Sequence, residues 1–207
     1  MSATNRGSDY RDLADYSTPD DLAEVLVSLL DIGPGEQVME PHVGGGAFVR
    51  AILRKRTNKE FRLKVLGMDL NPLAEGLALC DEHVVGDFLT WNPAPAQRPD
   101  RILGNPPFGP GKGVAEAHVR HALDIVPGSG GVGFLLRLSF LASAERAPFW
   151  RSFPAFRIWV LSERPSFTGG GTDATDYAFF LWCKGYRGSP KLDVLSWKGE
   201  RKGKGAA

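Results

Sequence analysis

Four short apolar runs, each ending in a polar signal of its own, constrain this chain more than any other feature. Gln37-Val38-Met39-Glu40 opens onto Pro41-His42-Val43-Gly44-Gly45-Gly46 and a helix-like stretch from Ala47 to Lys55. Leu63-Lys64-Val65-Leu66-Gly67-Met68 ends in Asp69. His83-Val84-Val85 runs into Gly86-Asp87-Phe88, and Arg101-Ile102-Leu103-Gly104 into Asn105-Pro106-Pro107-Phe108. From Val38 to Phe140 strand and helix alternate, which predicts a parallel sheet with helices on both faces. In such a sheet ligands collect outside the carboxyl ends of the strands.

Each signal suits part of a ligand. The two prolines after Asn105 fix φ near −65° and remove two N–H donors, so the carbonyl of Pro106 is left to face a ligand. An amide oxygen, a free carbonyl and the ring of Phe108 suit a planar base carrying an exocyclic amino group. A Pro-rich strand-exit turn would use the same residues. The triple glycine lets backbone approach a ligand closely. Asp69, with Leu70 after it, stands roughly 20 residues beyond that loop, where nucleotide-binding folds hold ribose hydroxyls. Asp87 and Phe88 suit an adenine ring, the carboxylate accepting from its amino group and the ring stacking. Singly, either acid reads equally as a helix cap or a surface acid.

Asn-Pro-Pro-Phe resembles the signature of the class I methyltransferases that use S-adenosyl-L-methionine to methylate a planar amide or exocyclic nitrogen, above all N6 of adenine. Glu40-Pro41-x-x-Gly44-x-Gly46-x-Phe48 is similar to their cofactor loop, with His42 where that family usually has a small residue. Tyr16-x-Thr18-Pro19 resembles their N-terminal motif, which touches the methionine end of the cofactor; a simple helix cap at Thr18 explains the same residues. Arg164-Pro165-x-Phe167, then Asp173 and Tyr177-Ala178-x-Phe180-x-Trp182, looks like the ending of compact adenine-N6 enzymes. The resemblance implies a Rossmann-like, mostly parallel seven-stranded sheet with an antiparallel terminal strand.

The resemblance also assigns roles. Asn105, Pro106, Pro107 and Phe108 form the catalytic turn, and Asn105 also touches the cofactor. Tyr16, Thr18, Pro19, Glu40, Pro41, Gly44, Gly46, Phe48, Asp69, Leu70, Asp87 and Phe88 bind it. The Asn105 oxygen and the Pro106 carbonyl would accept from the amino group of the base and localise its lone pair. The implied partner is DNA with a flipped adenine, RNA being possible. Phe108, Lys112 and Phe167 are the substrate-side candidates. Lys112 equally suits an ordinary loop, and Phe167 a core ring. A protein-glutamine acceptor fits the tetrapeptide too, as does a non-catalytic nucleic-acid-binding module that keeps the fold.

The rest of the chain sets bounds. Its 207 residues, 43% of them hydrophobic, suffice for one α/β domain with a full core. The expected division is a loose N-terminus over 1–15, a catalytic domain over 16–197 and a basic tail over 198–207. A formal net charge of +1 gives no global polyanion-binding field. Lys198, Arg201, Lys202 and Lys204 make the tail either a solvated end or an arm for phosphates. Cys80 and Cys183 suit buried thiols of a reducing compartment, so a cytoplasmic protein with no metal site is expected. No apolar run approaches the roughly 18 residues of a membrane span. With about 25 residues after Trp182, no base-reading domain is expected. Low specificity, or a partner that provides it, is the expectation.

Overall fold

The computed structural model describes residues 17–56, 62–107, 113–169 and 171–198. Tyr16, Phe108, Lys112 and the tail beyond Lys198 lie outside them. The described residues hold eight strands: β1 (Gln37–Glu40), β2 (Lys64–Asp69), β3 (Glu82–Val85), β4 (Arg101–Gly104), β5 (Gly131–Arg137), β6 (Arg157–Leu161), β7 (Tyr177–Cys183) and β8 (Lys191–Leu195). They form one sheet in the order β3-β2-β1-β4-β5-β7-β6-β8. All neighbours are parallel except β7, which runs antiparallel to both β5 and β6. The α/β class expected from the alternating pattern is therefore the one observed, with one strand more than the expected seven. β8 is the addition. It pairs parallel with β6 from Arg157↔Lys191 to Leu161↔Leu195. β7, the last of the other seven in the chain, lies inside the sheet rather than at its edge.

Among the described residues four helices cover the sheet: α1 (Asp20–Ser28), α2 (Ala47–Arg54), α3 (Val114–Ile125) and α4 (Ala147–Ser152). Side chains of successive strand residues point to opposite faces, so each central strand feeds two cores. Val38, Val65, Leu103, Leu135 and Phe179 pack with Leu22, Leu26, Phe48 and Ile52 of α1 and α2. Met39, Met68, Ile102, Phe134 and Phe180 pack with Val119, Leu123 and Phe149 of α3 and α4. Burial on both faces is why these strands read as continuous apolar runs instead of alternating ones.

One local reading shifts. Thr18 is not the cap of α1. Pro19 holds that position, with ψ at 137°, and its carbonyl accepts the first helical bond from Ala23 N–H. No helix among the described residues is long and apolar enough to cross a membrane.

Candidate functional site

Strand order reverses at β1, which has β2 on one side and β4 on the other. The chain leaves the sheet in diverging directions there and opens a crevice at the carboxyl rim. A cleft of about 290 Å³, its open mouth included, lies at this point. Glu40 at the end of β1, the loop from His42 to Gly46, Phe48, Asn105 beyond β4, and Ser17 and Thr18 before α1 line it.

The loop is held by backbone and by one carboxylate. Val43 N–H donates to Met68 O at 3.0 Å, and Gly76 N–H to Gly44 O at 2.9 Å. Asp69 Oδ2 accepts from Gly44 N–H at 2.9 Å, and its Oδ1 from Asn71 N–H at 2.8 Å. Gly44 and Gly46 sit at φ of 44° and 82°, the left-handed region that side chains other than glycine rarely adopt. A Cβ on Gly46 would also come within 2.9 Å of Gly76 Cα. Arg50 of α2 donates to Gly45 O at 2.6 Å and pairs with Asp20, joining the loop to α1.

Three polar groups around this cleft are buried without a partner among the described residues: Glu40 Oε2, Asn105 Oδ1 and both ring nitrogens of His42. Buried polar atoms are ordinarily hydrogen-bonded, so orphans in a cleft point to a ligand. Burial above all, with the Asp69 charge adding to it, pushes the Glu40 carboxyl well above the usual carboxylate range. Burial, helped by the neighbouring His118, pushes the His42 imidazole well below its ordinary value. Asn105 Nδ2 donates to Thr18 Oγ1 at 3.3 Å. The amide nitrogen is the end turned toward Thr18, and the oxygen is left to the cleft.

The residues predicted from sequence thus divide. Thr18, Glu40, Gly44, Gly46, Phe48 and Asn105 come together as cleft lining. Asp69 lies behind the loop and braces it, with lone pairs left for a further donor. Leu70 beside it is 47% exposed. Pro41 and Pro106 are buried, and Pro19 and Pro107 half-buried. Asp87 is exposed and caps the turn Phe88–Thr90, accepting from Leu89 N–H at 2.9 Å.

Two aromatic assignments change. Phe88 is only 2% exposed, stacked with His118 and edge-on to His42 and His121. A ring so enclosed has no face to offer an adenine, because α3 has brought two histidines onto it. Phe167 is 4% exposed and packs edge-on against Tyr177. It is a core ring, and its carbonyl accepts from Ser17 N–H at 3.0 Å. His42, which the sequence left between a solvent-facing and a cofactor-facing side chain, is cleft lining. The only cue was a large polar side chain in a small-residue position.

Comparison with solved structures gives the same fold. A protein from Listeria monocytogenes described as a class I S-adenosylmethionine-dependent methyltransferase superposes with a TM-score of 0.71 at 12% identity, over 92% of this chain and 68% of that one. The fold is that of the class I methyltransferases. The type I restriction-modification system methyltransferase subunit from Streptococcus thermophilus superposes with a TM-score of 0.66 at 16% identity, over 92% of this chain and 49% of that one. In sequence, a type II methyltransferase of Thermus thermophilus is 38% identical over 99 residues, 48% of this chain. The match spans only 22% of that relative's length. No family model matches the chain.

The residues present fit the cofactor of this fold. A glycine cradle with positive φ, an orphaned buried carboxylate oxygen and an orphaned amide oxygen are what a cationic, multiply hydrogen-bonding nucleoside requires.

Proposed function

We propose that the chain transfers a methyl group from S-adenosyl-L-methionine to N6 of adenine in DNA, with short or relaxed sequence preference. The observation that carries this reading is Asn105 Oδ1, buried and unpartnered in the same cleft as the glycine loop and Glu40. The similarity to the Thermus type II methyltransferase favours DNA.

The cofactor supplies an already activated sulfonium methyl, so the protein's share is positioning and electrostatics. Glu40, the glycine loop and Thr18 hold the cofactor, with Asp69 and Asp87 on its nucleoside side. Asn105 Oδ1 accepts one hydrogen of the adenine amino group, and the Pro106 carbonyl accepts the other. Two acceptors aimed at those hydrogens favour a pyramidal nitrogen, with its lone pair free to attack. They also stabilise the positive charge that develops as the bond forms. The Thr18 hydroxyl keeps the amide oriented for this. The surplus proton leaves to water after transfer, and no general base is needed. In duplex DNA the adenine must first leave the stack, because its amino group is otherwise paired.

A labelled methyl-transfer assay on DNA, RNA and a glutamine-bearing protein tests the reading. Digested DNA is expected to contain N6-methyladenine in many sequence contexts. Methylglutamine in the protein, or methylation confined to one structured RNA, would overturn it.

A further inference from the structure

We propose that His42 is a direct contact for the nucleoside half of the cofactor, a neutral imidazole presenting one donor and one acceptor to it. The proposal rests on the cleft being the cofactor site.

His42 stands two residues beyond the end of β1 and lines the cleft. Its ring lies 4.8 Å from that of His118 and 5.7 Å, nearly perpendicular, from that of Phe88. Both neighbours are already settled elsewhere. His118 Nδ1 bonds the Val114 carbonyl at 2.8 Å, and Phe88 is enclosed by rings. Of the two histidines, His42 leaves both ring nitrogens buried and without a partner among the described residues. A neutral imidazole carries one N–H donor and one lone-pair acceptor, and leaving both unmade in a buried site is costly unless a ligand completes them. Burial holds the ring in that neutral form. Phe88 follows β3, and β2 and β1 stand between that strand and β4, the strand that leads to Asn105. That places His42 toward the nucleoside and not toward the reacting methyl. The imidazole therefore stands in the part that the sequence had given to Phe88.

Calorimetry with S-adenosylhomocysteine and with 5′-methylthioadenosine, which keeps the nucleoside but lacks the amino-acid part, tests this. His42→Phe keeps a ring and removes both polar atoms. It is expected to weaken both ligands by at least about tenfold, the loss of two buried hydrogen bonds. The same variant without ligand is expected to melt at or above the wild-type temperature, because two unpartnered polar atoms are gone. His42→Gln, which keeps a donor and an acceptor, is expected to bind both within about threefold of wild type. Equal or tighter binding by His42→Phe, while wild type binds, would overturn the proposal. So would equal weakening in both variants, which means that imidazole packing alone matters. Weakening confined to S-adenosylhomocysteine would overturn the nucleoside assignment. Wild-type protein that binds neither ligand would instead remove the cofactor reading of the cleft itself.

Discussion

Replacing Asn105 by Ala separates chemistry from binding. The side chain has two ends with different work. Oδ1 is buried and unpartnered, while Nδ2 makes a long 3.3 Å bond to Thr18 Oγ1. Removing one preorganised polar group of this kind typically costs about 10²–10³ in turnover, about 2.7–4 kcal/mol. The Thr18 bond is neutral and long, so its loss belongs at the weak end of the usual net range, about 0.5 kcal/mol. That corresponds to roughly a twofold change in affinity. Asn105→Ala is therefore expected to lose at least about a hundredfold in kcat while S-adenosylmethionine affinity stays within about threefold. Single-turnover methyl transfer, with the cofactor Kd measured in parallel, resolves the two. Thr18→Val, which leaves the amide free to turn over, is expected to give a smaller loss of kcat. Near-wild-type turnover in Asn105→Ala would remove the amide from the mechanism. A fall in affinity matching the fall in kcat/KM would make it a binding group instead.

Three further outcomes follow from the loop and its supports. Asp69→Ala strips the acceptor from Gly44 N–H and Asn71 N–H; at about 1.5–3 kcal/mol for a bond to a charged group, cofactor affinity is expected to fall at least about tenfold. Unchanged calorimetric binding would show that this carboxylate does not hold the loop. Gly76→Ala brings a Cβ within 2.7 Å of Gly46 Cα, so denaturant unfolding is expected to show a loss of about 1–3 kcal/mol, the usual cost of overpacking; an unchanged midpoint would mean that the two backbones separate freely. Glu40 binds its proton more tightly folded than unfolded, because burial above all and then Asp69 raise its pKa from an ordinary value near 4.5. The cost of ionising it therefore appears as pH climbs above that value, so Glu40→Gln is expected to melt above wild type at pH 8, with the gap closing toward pH 4. A wild type that melts higher at pH 8 would reverse the argument.

What could be read from the sequence was whatever depends on neighbours in the chain. The strands β1, β2, β4 and β7 declare themselves because burial on both faces makes them uniformly apolar. β8 could not, because Leu192 and Val194 remain 58% and 71% exposed and only Leu195 packs against the core. Its place is set from afar, by Arg157 on Asp193 and by Glu163, which receives Ser196 and Trp197.

The same limit explains the aromatic assignments. An acid followed by Phe at a strand end says that a ring stands near the rim, but not which way it faces. That is decided by α3, whose His118 and His121 enclose Phe88 from thirty residues and more downstream. Phe167 is likewise claimed by Tyr177 across a loop. With both rings taken into the core, neither presents a stacking face to the cleft, and the polar groups at its rim gain weight in holding a nucleoside. Glu40, Asn105 and His42 hold the orphaned polar atoms among the residues that line it. Two of them stood out by motif. The third became visible only when the packing around it was known, because a histidine in a glycine loop has no periodicity or spacing to give it away.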